Sequence, residues 1–414
     1  MTDLAWIEAA LTSARPQALG ALVRYFRDVD LAEEAFQDAS LRALKSWPEN
    51  GPPRNPTAWL ILVGRNIAID QTRRQKKQTA LPDKDIAEET EGTLADRLDE
   101  AHYRDDVLRL LFICCHPDLP PSQQIAVALR IVSGLTVKQI ARAFLVSEAA
   151  MEQRITRAKN RIAAADVPFE APDAFERAER MSAVAAMIYL IFNEGYSAGR
   201  EDADRAQLCE EAIRLGRLLV RLFASEPEVM GLTSLMLLQH ARAAARFDDD
   251  GNVVLLDHQD RSKWDRGLIG EGLAMLDKAL RHAQPGPYQI QAAVAALHAR
   301  AATPADTDWA QIDLLYANLE RLQPSPVVTL NRAVAVSKTQ GPAAALAMIE
   351  PLEHKLAGYF HFFGLKGALL EQLGRAREAR AAFTQAISLA NTPAEAAHIR
   401  MHLDQLTNIS RGSG

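Results

Sequence analysis

Arginine, glutamine, asparagine and lysine gather at helical spacing in two places in the first two-fifths of this 414-residue sequence, and these side chains are the ones that grip nucleic acid. In the more C-terminal cluster, Ser147 to Ile162, the residues Met151, Ile155, Ala158 and Ile162 recur at i, i+4, i+7 and i+11 and form one apolar face. Gln153, Arg154, Arg157 and Arg161 are left on the outside. Arginine forks onto guanine, glutamine onto adenine, and the remaining cations meet phosphate. Upstream, Thr136 can cap a helix over Val137 to Ala143, a turn falls at Phe144-Leu145-Val146, and Ser147 can cap the next helix. This is a helix-turn-helix, with Leu129, Ile140 and Leu145 beneath a second helix that fits a major groove. An ordinary packing corner with basic residues on its wet face would satisfy the same spacing.

The first cluster runs from Trp59 to Lys77, apolar at its start and cationic at its end. Asn55 is placed to cap it and Pro56 to occupy the first helical position, where a missing N–H costs nothing. Before it, Trp47-Pro48-Glu49-Asn50-Gly51-Pro52-Pro53-Arg54 is too rich in proline and glycine to continue a helix. Asn66, Asp70, Arg73 and Lys77 share one face, with Leu60, Val63 and Ile67 on the other. A shaped loop beside such a face could hold a single strand with one base unstacked. Trp59 fits a core position better than a stacking platform.

The rest of the sequence must position these groups. With 48% hydrophobic residues it is long enough for several domains, and a net charge of -6 confines any DNA-binding charge to local patches. The start lacks a basic stretch followed by an apolar core, and no apolar run approaches membrane-spanning length, so a cytoplasmic, non-membrane protein is expected. Cys114-Cys115-His116 has no second ligand pair at metal spacing and Cys209 is isolated, so small buried side chains and no metal are expected. After Pro117, Ser122 is placed to cap the next helix. His240 and His258 have no partner that would make a catalytic dyad, and no phosphate-binding glycine loop occurs; neither enzyme activity nor a cofactor is expected.

The C-terminal half reads as helical throughout, interrupted at Pro227, Pro285-Gly286-Pro287, Pro304, Pro324, Gly341-Pro342 and Pro393. Sliding Arg332-Ala333-Val334-Ala335-Val336 by about 34 residues places it on Lys366-Gly367-Ala368-Leu369-Leu370, and Ala345 and Ile349 on Ala379 and Phe383. Period and small residues match a tetratricopeptide unit, whose stacked helix pairs make a groove. Asn193, Glu194 and Tyr196, with Gln259, Asp260, Arg261 and Trp264, are the distinctive polar positions of this half: a regulatory ligand or partner site, or a set of caps and internal ion pairs.

The run Asp28 to Leu44, the Trp59 to Lys77 helix and the helix-turn-helix ending Gln153-Arg154-Ile155-Thr156-Arg157-Ala158-Lys159 together resemble the extracytoplasmic-function sigma factors of bacterial RNA polymerase. Tyr189 to Tyr196 and Gln259 to Trp264 are similar to a subgroup with a long helical C-terminal extension. The resemblance implies an all-α chain. Its parts would be a region-two domain over 1–78, an acidic linker over 79–100, a region-four helix-turn-helix domain over 101–168, a helical extension over 169–300 and tetratricopeptide-like repeats over 301–414. It implies core RNA polymerase docking through Glu33, Glu34, Gln37, Asp38 and Arg42. Proximal promoter contacts would come from Arg54, Asn55, Trp59, Asn66, Asp70, Arg73, Arg74 and Lys77, and distal ones from Ser147, Glu152, Gln153, Arg154, Arg157 and Arg161. Glu152 departs from the basic residue common in relatives; it would repel phosphate yet could accept from a cytosine amine. The partners implied are core RNA polymerase, promoter DNA and a protein or small molecule at the extension. A one-component regulator with a sensing repeat domain is the alternative, and it leaves the first hundred residues without a purpose.

Overall fold

The computed structural model describes residues 5–76, 100–116, 118–144, 146–164, 174–197, 203–249, 251–390 and short stretches up to 403. The fold is all-α, and an isolated antiparallel bridge between Phe247 and Val253 is the one extended pairing among the described residues. The chain divides into two compact units, Met1–Gly195 with Asp204–Ala212, and Tyr196–Ala203 with Ile213–Gly414. The acidic segment 79–99 and the junction 165–173 lie outside the described residues.

In the first unit, α1 (Ala5–Phe26), α2 (Val29–Asn50) and α3 (Pro56–Lys76) pack together. Asp28 begins α2 by accepting from the backbone N–H groups of Asp30 and Leu31 at 2.8 and 3.0 Å, which supplies partners the first helical turn lacks. Asn55 does the same for α3, its Oδ1 accepting from Ala58 N at 3.0 Å, with Pro56 at the first helical position. The core between these helices is built from Leu19, Leu22, Ala35, Phe36, Leu60, Ile61 and Ala68. Glycine lets the backbones meet: a Cβ on Gly64 would lie 2.8 Å from the Ala35 carbonyl oxygen. The buried face of α3 is therefore Leu60, Ile61, Gly64 and Ala68, and Val63 and Ile67, expected in the core, are only partly covered.

The helix-turn-helix region follows as α4 (Glu100–Cys114), α5 (Pro121–Ile131), α6 (Val137–Ala143) and α7 (Glu148–Ala164). Thr136 and Gln139 form a reciprocal capping box at the start of α6, and Ser147 Oγ accepts from Ala150 N at 3.2 Å at the start of α7. Met151, Ile155, Ala158 and Ile162 are all buried, as their spacing requires. Ser122 does not cap: α5 begins one residue earlier, with Pro120 in the cap position and no side-chain cap, because proline's fixed φ already suits a first turn. Cys114, Cys115 and Cys209 are buried thiols, and burial pushes Cys115 up to about 12. Among the described residues no group of His, Cys, Asp and Glu could hold a metal ion. The unit also takes in most of α8 (Ala174–Tyr196) and the N-terminal half of α9 (Ala203–Leu222).

The second unit centres on α10 (Pro227–His240), buried along nearly its whole length by α11 (Arg266–Leu280) and α12 (Pro287–Arg300). Its buried hydroxyls are satisfied, Thr233 on Val229 O at 2.8 Å and Ser234 on Gly272 O at 2.7 Å. Glu228 accepts from the backbone N–H groups of Tyr288 and Gln289 at 3.0 and 3.1 Å, favourable at the positive end of α12. Then come α13 (Trp309–Leu322), α14 (Pro326–Thr339), α15 (Pro342–Ile349), α16 (Phe360–Gln372) and α17 (Ala376–Leu389). The pair α16 and α17 starts 34 residues after α14 and α15 (360 less 326, and 376 less 342). Ala345, Ile349, Ala379 and Phe383 occupy equivalent buried places in one core, and a Cβ on Gly367 would lie 2.5 Å from the Phe383 ring. No described helix is long and apolar enough to cross a membrane.

Candidate nucleic-acid interface

The Pro-rich turn and α3 enclose a crevice of about 520 Å³ lined by Arg42, Trp47, Asn50, Pro52, Pro53, Trp59, Val63 and Asn66, among others. Gly51 shapes its rim: at φ +76° it ends α2 in a conformation that costs other residues strain, and its N–H returns to Trp47 O at 2.9 Å. Trp47 is buried between Trp6, stacked at 6.2 Å, and Trp59, edge-on at 5.3 Å. Trp59 is half-buried, so one part supports the core and the rest meets the crevice. Asn66 and Arg54 are exposed. An open crevice with aromatic, amide and guanidinium walls can take a flat heterocycle by stacking and hydrogen bonding. The side chains of Asp70, Arg73 and Arg74, and all of Lys77, lie outside the described residues.

On α7, Gln153 and Arg157 are exposed and joined, Arg157 donating to Gln153 Oε1 at 3.2 Å. Arg154 is half-buried, and exposed Arg161 reaches Gln123 Oε1 at 3.3 Å. Ser147 is exposed but its hydroxyl is engaged as the cap, and exposed Glu152 lines a crevice of about 300 Å³ together with Asp30, Thr156 and Lys159. An amide and a guanidinium one turn apart on an open helix face match the geometry of base-edge readout.

The α2 face divides differently from the sequence expectation. Glu34, Gln37 and Arg42 are exposed and Asp38 is half-exposed, and Arg42 lines the Trp59 crevice. Glu33 is turned inward at 4% exposure, within 2.8 Å of Lys159 Nζ, 3.1 Å of Arg130 and 3.6 Å of Arg15. The reason is electrostatic: a carboxylate leaves water only when cations replace its hydration. Burial holds Arg15 down to about 10, against the attraction of Glu33. None of these cations carried a signal in the sequence, because they lie on elements far apart in the chain.

Chain residues 11–78 match the model of sigma-70 region 2, residues 109–162 that of sigma-70 region 4, and residues 180–280 a family of unknown function, DUF6596. An uncharacterized protein of Rhizobium meliloti (strain 1021) is 69% identical over 411 residues, covering 98% of this chain and 97% of the relative. The two matches, in this order on one chain, support a sigma-70 family factor. The region 2 match contains the Trp59 crevice and the region 4 match contains the helix-turn-helix with Gln153 and Arg157, so both surfaces built above fall on sigma-70 regions. No solved structure matches the chain.

The distinctive polar positions of the C-terminal half fall in both units. Glu194, in the first, pairs with Arg205 at 3.3 Å, and Asn193 is half-buried beside it in sequence. In the second, Arg246 lies 3.6 Å over the Tyr196 ring. Asp260 caps its own turn through Ser262 N at 2.9 Å, and Gln259 donates to Val254 O at 3.0 Å. Arg261 lies over Trp264 at 4.7 Å and donates to the carbonyls of His298 and Ala301 at 2.7 and 2.6 Å, near the C-terminus of α12. Caps and internal pairs thus account for most of the polarity there.

Proposed function

We propose that the chain is a sigma factor of the extracytoplasmic-function type, which binds core RNA polymerase and directs promoter-specific initiation in the cytoplasm without enzymatic activity of its own. The observation that carries this reading is the pair of nucleic-acid surfaces in family order on one chain, the Trp59 crevice and the exposed Gln153–Arg157 face. Glu34, Gln37, Asp38 and the exposed Leu41 offer core polymerase an acidic and apolar docking face on α2. The crevice with Arg54, Trp59 and Asn66 would receive an unstacked base of the proximal element, and α7 would read the distal one. The segment over 79–100 would link the two DNA-binding domains. The helical extension, with a tetratricopeptide-like end, is the regulatory part, receiving a protein or small molecule.

Reconstituted transcription tests the reading. Purified chain added to core RNA polymerase should yield specific transcripts that core alone does not make, and Glu34→Lys with Asp38→Lys should weaken core binding by opposing the proposed surface. Failure of the chain to bind core polymerase overturns the assignment. Truncation after about residue 167 tests the extension: promoter output equal to that of the full chain at matched protein levels would remove its regulatory role.

A further inference from the structure

Caps and internal pairs leave one group of the extension without partners. Arg261 lies in the short turn Arg261–Lys263, inside the stretch that matches the family of unknown function, and is only 8% exposed. Its Nη1 is satisfied twice, by the carbonyls of His298 and Ala301, and its guanidinium rests over Trp264. Its Nε and Nη2 are buried and have no hydrogen-bond partner. Trp264 Nε1 and His298 Nδ1 are buried without a partner as well.

Nε and Nη2 lie on one edge of the guanidinium, the edge that forks onto a carboxylate or a phosphate. The chain uses that edge elsewhere. Arg217 holds Glu271 through Nε and Nη2 at 2.7 and 2.6 Å, and Arg375 holds Glu378 through the same atoms at 2.8 and 2.6 Å. Arg261 has no such acid: Asp257, the carboxylate whose charge acts on it most strongly, is held by Lys338 at 3.0 Å. Arg242 and Arg266 add like charge around it. Burial, reinforced by Arg242 and Arg261, keeps His298 from adding a compensable proton at neutral pH. A buried cationic fork with surplus positive charge nearby is short of one anion.

We propose that Arg261 is the receptor for a small-molecule oxyanion, a carboxylate or a phosphate, gripped in bidentate fashion through Nε and Nη2 with Trp264 and His298 as its polar neighbours. Both nitrogens are shut off from solvent in this conformation, so the ligand enters as the short turns 256–258 and 261–263 lift, and it is enclosed when they close. An enclosed fork suits a small molecule better than the surface of a partner protein. The site rests on the regulatory reading of the extension only for its consequence.

NMR of the arginine Nε–H groups in the full, 15N-labelled chain tests this, with Arg261→Lys assigning the Arg261 signal. Inorganic phosphate and acetate are the probes, each compared with sodium chloride at equal ionic strength. One or both should shift the Arg261 signal saturably, leave those of the paired Arg217 and Arg375 in place, and raise Tm by about 2 °C or more. Arg261→Lys should lose that gain, because an ammonium keeps the charge but not the fork. Arg242→Gln, at a half-buried neighbour, is the second variant and should raise the midpoint of the titration by about threefold or more. A response to phosphate alone marks a phosphate ester as the ligand, and one to acetate alone a carboxylate. An Arg261 signal and a Tm that respond to both probes as they do to chloride overturn the site. If the anion binds but promoter-specific transcription is the same with and without it at saturation, the regulatory reading fails and the site stands.

Discussion

The rings of Trp47 and Trp59 meet edge-on with centroids 5.3 Å apart, and this contact fixes the wall of the crevice on which region 2 would hold an unstacked base. Trp59 therefore both braces Trp47 and lines the crevice.

Trp59→Ala should lower the stability of the first unit by about 1–3 kcal/mol, because it strips one side of a buried indole. Exposed Asn66 lines the same crevice, and Asn66→Ala should change stability by no more than about 0.5 kcal/mol while impairing promoter opening. Permanganate reactivity of the promoter separates the two effects. Normal melting by the Asn66 variant would remove that residue from the interface.

Gln153→Ala and Arg157→Ala should leave thermal unfolding unchanged, since both residues are exposed. Each should weaken use of the distal element by about 1–3 kcal/mol if it contacts a base in bidentate fashion. A loss for Arg157→Ala that is uniform across sequences, with a salt slope reduced by about 1, would mark a phosphate contact instead. Binding of the polymerase complex to promoter variants at several salt concentrations reads both.

Two glycines should respond with opposite signs. Gly64→Ala places a methyl 2.8 Å from the Ala35 carbonyl oxygen and should destabilise by about 1–3 kcal/mol, despite alanine's better helix propensity. Gly270→Ala, within α11 and facing open space, should stabilise by about 0.5–1 kcal/mol. Urea midpoints measure both, and a stabilised Gly64 variant would contradict the close approach of α2 and α3.

His298 should make the extension acid-sensitive. Burial, reinforced by Arg242 and Arg261 and opposed by Asp257, holds it down to about 4 from an ordinary 6.5. Because the folded value lies below the unfolded one, the stability linked to neutral His298 is complete above pH 6.5 and is lost as pH falls from 6.5 to 4. The full loss is on the order of 3 kcal/mol. His298→Gln should flatten that part of the pH dependence of unfolding, and an unchanged slope would exclude His298 as its source.

What the sequence determined by itself is local. The caps at Asn55, Thr136 and Ser147, the buried stripe of Met151, Ile155, Ala158 and Ile162, and the 34-residue offset of the last helix pairs were all legible in it. Each depends on hydrogen bonds or side-chain periodicity within a few residues, or on a repeat of such a unit, which a linear pattern records. The exposed pair Gln153 and Arg157 follows from the same periodicity.

Tertiary structure alone decided which polar residues face outward on α2 and which apolar ones stay open on α3. Glu33 and Glu34 are adjacent and chemically equivalent, yet Glu33 is buried because Arg15, Arg130 and Lys159 converge on it from three other helices. Val63 and Ile67 fit a core stripe as well as Leu60 does, but the turn through Gly51, Pro52 and Pro53 leaves a crevice in front of them. Periodicity ranks residues around a helix axis; the direction that becomes interior is set by neighbours distant in sequence, whose burial and charge compensation exist only once the chain has packed.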